Sequence, residues 1–167
     1  WGFSWGDMAA NSAGAAIYIG QQLQWGEQRF KLKVSYHHTD FAAVRPEVLG
    51  GAWNERMLKD YNGQTYWVSG NISSFLNEDS GFPKWLNIAG GYGVDGLISG
   101  FPDPLIDPDG EYNRSRQYYL SFDVDLSQLD IKNPWLRGLT KTIGFIKFPA
   151  PALEFGIHGV KGYWVYF

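Results

Sequence analysis

Arg116-Gln-Tyr-Tyr-Leu-Ser-Phe-Asp-Val-Asp-Leu-Ser-Gln-Leu129 alternates without a break. Tyr118, Leu120, Phe122, Val124 and Leu126 fall on one side; Tyr119, Ser121, Asp123, Asp125 and Ser127 fall on the other. A period of two with one apolar and one polar face predicts a β-strand. The apolar face meets either a protein core or lipid, and in the second case the carboxylates point into a barrel.

Several other stretches follow the same rule. Over Arg29–His37, Phe30, Leu32, Val34 and Tyr36 oppose Lys31, Lys33, Ser35 and His37. Thr65–Leu76 and the Gly-rich Trp85–Ser99 read as strands on either side of a polar turn. Leu153, Phe155 and Ile157 oppose Glu154 and His158 in a last β segment over Leu153–Phe167. Helices are expected in three places. Ser4-Trp-Gly-Asp7 is a capping pattern ahead of a small-residue-rich stretch reaching about Trp25, in which Ser12, Ala16 and Gly20 form a ridge. From Ile17 onward that stretch also fits a strand. Asn54–Tyr61 reads as a short helix ended by Asn62-Gly63, and Pro134–Ile146 as a helix with Pro in its first turn. The fold class expected is mainly β with helices: an antiparallel β-barrel or a strongly curved antiparallel sheet, in one domain over residues 1–167.

Composition narrows the function classes. The net charge is −3 with both signs mixed along 167 residues, so no basic stripe invites nucleic acid. There is no cysteine, which excludes disulfides, thiolate metal sites and cysteine nucleophiles. Aromatics make up 17% of the chain, with 21 Gly and 8 Trp, a mixture that suits tight-turned sheets and rings anchored at a membrane interface. No apolar run approaches the length of about 18 residues that a spanning helix needs, which leaves a barrel possible. Aromatics at expected strand ends (Tyr36, Trp67, Trp85, Tyr118, Tyr163, Trp164) favour lipid, whereas about six strands fall short of the eight of a closed bacterial barrel.

Two stretches resemble known families. Tyr163, Val165 and the terminal Phe167 at alternate positions resemble the aromatic ending of bacterial outer-membrane β-barrels. Gly2-Phe-Ser-Trp-Gly-Asp-Met-Ala-Ala-Asn-Ser-Ala-Gly14 is similar to the opening of the YfiM-type predicted lipoproteins, an uncharacterised bacterial envelope family. Lys59-Asp-Tyr-Asn-Gly-Gln-Thr-Tyr-Trp67 and Pro149-Ala-Pro-Ala-Leu-Glu-Phe155 resemble larger Bacteroidota envelope proteins that share this opening. Family members carry an upstream Asp-Lys-x-x-His segment, so the resemblance implies that Trp1 begins mid-protein, within the C-terminal part of a longer chain. It implies a cell-envelope location, outer membrane before periplasm, with lipid and other envelope proteins as candidate partners, and it implies no activity.

Candidate sites are few, and each has a plainer reading. His37 and Asp40, with Asp123 as a third, are the candidates for acid–base chemistry at a barrel rim, although neighbouring strand residues such as His37 and His38 point to opposite faces. Lys31, Lys33, Asp123, Asp125, Glu154 and His158 form a polar strand face able to line a pocket, or simply a balanced, water-filled interior. Asp103, Asp107, Asp109 and Glu111 offer oxygen ligands for calcium, but the spacing is not that of an EF-hand and a stiff acidic loop is the simpler account. No cofactor motif is present: Gly90-Gly-Tyr-Gly93 lies within a strand pattern instead of ahead of a helix. A non-enzymatic envelope protein with a structural or lipid-contacting role is the leading expectation. A membrane-embedded lipid-modifying enzyme and a soluble periplasmic ligand-binding module are the alternatives.

Overall fold

The structure, a computed structural model, describes residues 4–100, 107 and 112–167. Six strands follow the predicted alternation: β1 (Phe30–Tyr36), β2 (Gln64–Asn71), β3 (Leu86–Asp95), β4 (Ser115–Val124), β5 (Ala150–Gly156) and β6 (Gly159–Tyr166). Each pairs antiparallel with its neighbours in sequence, giving one sheet in the order β1 to β6.

The sheet curves strongly without closing. Lys31 on β1 reaches Asp125, just past β4, at 2.7 Å, although β1 and β4 would lie about 14 Å apart across a flat sheet. Thr65 of β2 meets Tyr166 of β6 at 3.0 Å. β1 and β6 do not pair with each other. Along its free side β1 is met by a single parallel bridge, Val34 to Ile146, where Lys147 N–H donates to the Val34 carbonyl.

Among the described residues five α-helices accompany the sheet: α1 (Trp5–Trp25), α2 (Phe41–Val44), α3 (Pro46–Leu49), α4 (Trp53–Lys59) and α5 (Pro134–Thr142). The ambiguity after Ile17 resolves as helix. α1 starts with the Ser4 hydroxyl accepting from Asp7 N–H and ends at Gly26, whose φ of 72° lies where a side chain would strain the backbone. Of the α1 residues only Gln21 is buried. Its amide grips the first residue of β1, donating to the Phe30 carbonyl at 3.0 Å and accepting from Phe30 N–H at 2.7 Å. No described helix is long and apolar enough to cross a membrane.

Several boundaries differ from those expected. The strand over Arg116–Leu129 ends at Val124; the Asp125 side chain accepts from Ser127 N–H and opens a 3-10 turn over Leu126–Gln128, so Leu126 leaves the apolar face and is buried. Residues 41–54, read as loop, contain α2, α3 and the first residues of α4. The β segment at the end is a hairpin of two strands.

Candidate functional site

Strand alternation places two chemically opposite surfaces back to back. The outward surface is apolar and exposed. Register aligns Leu32, Val68, Gly90, Leu120, Leu153 and Gly162 in one row across all six strands. Tyr66, Tyr92 and Tyr118 stand side by side in the next row, continued by Phe155 and Val160. On the other flank lie Ile88 and Phe122, directly paired. Nearly all of these side chains are exposed, Leu120 at 43% and Phe122 at 53%.

The inward surface is polar, charged and buried. Lys33 and Asp123 form an ion pair of 2.6 Å with side chains 1% and 0% exposed. Ser69 donates to the same Asp123 oxygen at 2.5 Å, and Asn87 donates in turn to Ser69 at 2.9 Å. The second oxygen of Asp123 is buried with no hydrogen-bond partner among the described residues. Lys31 binds both oxygens of Asp125, at 2.7 and 2.8 Å. Burial works against the Asp125 charge, but the hydrogen bonds from Lys31 and Ser127 outweigh it and hold its pKa below the ordinary carboxylate value.

Between this charged end and the opposite rim sits the only sizeable ring cluster among the buried residues: Trp67, Tyr119 and Tyr166 with Ala89 and Ala152. Each aromatic carries a polar tip that finds a partner, as buried Trp and Tyr require. Trp67 donates to Ser35 at 2.9 Å, Tyr119 to Gln117 at 2.9 Å, and Tyr166 shares a hydrogen with Thr65. Glu154 joins this group, accepting from Tyr163 at 2.6 Å. Lys147 reaches in from beside β1, its ammonium 4.7 Å from the Trp67 ring centre and donating to the carbonyls of Phe122 and Phe148.

The structure thus brings together Lys31, Lys33, Asp123, Asp125 and Glu154 on one buried lining. His158 is not part of it: it lies exposed in the β5–β6 turn. The acid–base candidates are dispersed. Asp40 is exposed at the start of α2. His37 is partly buried beside Tyr166, ring centres 5.6 Å apart, on the far side of the aromatic cluster from Asp123. Burial pushes the His37 pKa below its ordinary value against the pull of Asp60, Asp95 and Glu154. Asp60, which the sequence did not single out, is fully buried and is held by Thr39 and by Asn62 N–H and side chain. Of the calcium candidates, Asp103, Asp109 and Glu111 lie outside the described residues, and Asp107 accepts from Tyr112 N–H at 3.2 Å. Among the described residues no cluster of three or more metal-type ligands occurs.

Two readings of aromatic positions are corrected. Trp67 is not an interface ring: it sits inward in the middle of β2, 1% exposed. At the chain's end, an irregularity opposite Ala150–Ala152 puts two residues of β6, Trp164 and Val165, against the single Pro151 of β5, so the alternation slips by one. Tyr163 and Tyr166 consequently both pack into the inner ring cluster, while Trp164, 90% exposed, and Val165 face outward.

Lys147, Asn71 and Asn87 were missed. Lys147 sits in Phe-Ile-Lys-Phe, where a lone cation among apolar residues outside a strand gave only a faint signal. Comparison of this chain with family models, curated proteins and solved structures finds no match.

Proposed function

We propose that this chain is a bacterial cell-envelope protein whose curved sheet forms a barrel-like wall in the outer membrane, with a structural and lipid-contacting role. The observation that carries the reading is the inversion of the sheet: charged and amide side chains inside, Leu, Ile, Phe, Tyr and Val outside. In water, a contiguous exposed apolar surface of this extent is costly, and soluble monomers rarely show one beyond a few hundred Å². In lipid the same arrangement is the stable one, because strands of membrane barrels alternate apolar-out and polar-in.

Dimensions support the reading. On β3, Leu86, Ile88, Gly90, Tyr92 and Val94 occupy successive outward positions; that run covers about 27 Å along the strand and about 20 Å of height at barrel tilt. This approaches the apolar band of about 25 Å typical of outer-membrane barrels. The row of Tyr66, Tyr92 and Tyr118 at one flank matches the expected aromatic girdle. The open edge of β6 adds a requirement, since backbone groups facing lipid must be paired. In the bilayer that edge therefore takes a further strand.

The test is extraction and migration. The chain should partition into detergent micelles, resist carbonate washing from vesicles, and run differently on gels before and after boiling. A monomer that stays fully soluble without detergent would sink the reading.

A further inference from the structure

Four elements meet at the rim where α1 enters β1 and β4 leaves the sheet. There, a cavity of about 360 Å³ opens between α1, β1 and α5, within the size range of small-ligand pockets. Its walls divide by chemistry. Ile17, Tyr18 and Phe145 supply apolar lining, and Gln28, Thr140, Lys141 and the paired Lys31 and Asp125 supply polar lining. Phe30 and Leu32 also line it, and they belong to the outward apolar surface, so the cavity opens onto that surface without a polar break.

The charge of this rim is unbalanced. Lys31, Lys141 and Asp125 line the cavity, so its lining carries two cations against one carboxylate. Asp125 is taken by Lys31, and nearby Glu27 is taken by Arg29. No ion pair among the described residues engages Lys132, Arg137 or Lys141. Among the described residues the Arg137 guanidinium donates only to the Ile131 carbonyl. α5 itself is amphipathic: Trp135, Leu136 and Leu139 are exposed on one side, with Arg137 and Lys141 one turn apart on another. A short helix with exposed Trp and Leu and cations beside them has the character of one lying in the headgroup layer, cations towards phosphate.

We propose that the cavity between α1 and α5 binds the phosphate headgroup of an anionic lipid. Lys141 and Thr140 contact the phosphate, and Ile17, Tyr18 and Phe145 take the first acyl methylenes; Arg137, one turn from Lys141, lines the adjoining pocket together with Thr140 and Lys141. The site rests on the barrel reading above, because only that reading sets this rim at headgroup depth. An amphiphile fits the mixed walls better than a free anion, which would leave the apolar half of the cavity unfilled.

The experiment measures lipid retained by the full chain from mixed micelles, using phosphatidylglycerol or phosphatidylcholine as probe, by native mass spectrometry. Phosphatidylglycerol should be retained in preference, and each of Lys141→Gln and Arg137→Gln should reduce that retention about fivefold, the factor for one cation near an anionic surface. Lys141→Arg should restore it, and Lys161→Gln, an exposed cation on β6, should leave it unchanged. Retention of both lipids alike, or equal losses for Lys161→Gln and Lys141→Gln, overturns the headgroup site while the barrel reading stands. Displacement of the lipid by inorganic phosphate at equal concentration also overturns it, because the acyl contacts would then contribute nothing. A chain that enters neither micelles nor vesicles overturns the barrel reading and the site together.

Discussion

Gly90 and Gly91 are neighbours on β3 and live in opposite worlds. A Cβ built on Gly90 meets nothing within 4 Å, whereas one on Gly91 would come within 2.7 Å of the Trp67 ring. One residue of pleat separates an open apolar surface from a filled polar lining. In a water-soluble sheet the tightly filled side is the apolar one. Here packing and polarity have been exchanged, and that exchange is what the proposed lipid-facing role rests on.

The sharpest way to break the inner side of this comparison is Asp123→Ala. It leaves the Lys33 ammonium buried without its carboxylate, and loss of one partner of a buried pair costs about 3–5 kcal/mol. Denaturant unfolding of the protein in micelles checks this, and the paired change Lys33→Met with Asp123→Leu should recover much of the loss. Next comes the outer side. Leu120→Arg lies in the middle row and should cost about 2–4 kcal/mol if that row sits at bilayer midplane. If the face meets water instead, the same change should stay within about 0.5 kcal/mol, so one unfolding measurement in vesicles separates the two environments.

The glycine pair gives a smaller contrast. Gly91→Ala forces the Trp67 ring to shift and should destabilise by about 1–3 kcal/mol. Gly90→Ala should be neutral or gain less than about 1 kcal/mol through reduced freedom of the unfolded chain. The gentlest signal is graded with pH. His37 titrates below its ordinary 6.5 and Asp125 below its ordinary 3.8. For each, the unfolded chain binds the proton more readily, so the stability it contributes is complete above the ordinary value and is lost as pH falls through the interval down to the folded value. Unfolding midpoints should therefore decline in two stages, the first beginning near pH 6.5 and absent in His37→Gln.

Much of the architecture was legible because alternation is a local property. β1, β3 and β4 announced their two faces within seven to ten residues, and Asp123 and Asp125 were assigned to the side they occupy. The Ser4 and Pro134 starts were legible for the same reason, since a cap is read within one turn. What stayed hidden depends on contacts between distant positions. Nothing near Lys147 shows that its stem crosses to Trp67, and nothing in Tyr163-Trp-Val-Tyr166 reveals that β5 is one residue short opposite it. His37 and Asp40 looked like a pair because they are close in sequence. The turn out of β1 sends them apart, one against Tyr166 and the other to the surface. The basic, amphipathic character of α5 was present in Trp-Leu-Arg-Gly-Leu-Thr-Lys, but its meaning emerged only once the cavity beside α1 was visible.

The meander order of the strands also has a kinetic side. Every sheet pairing joins sequence neighbours, but only β5 and β6 are linked by a two-residue turn; the other connections run from 14 to 27 residues, so most pairings close a sizeable loop. The lining reaches further still: Lys31 meets Asp125 across 94 residues and Thr65 meets Tyr166 across 101. Contacts of that separation close the largest loops, so these latches are expected to form after the sheet pairings and to hold its curl. A chain whose latches are removed should still build its hairpins and fail only to curl.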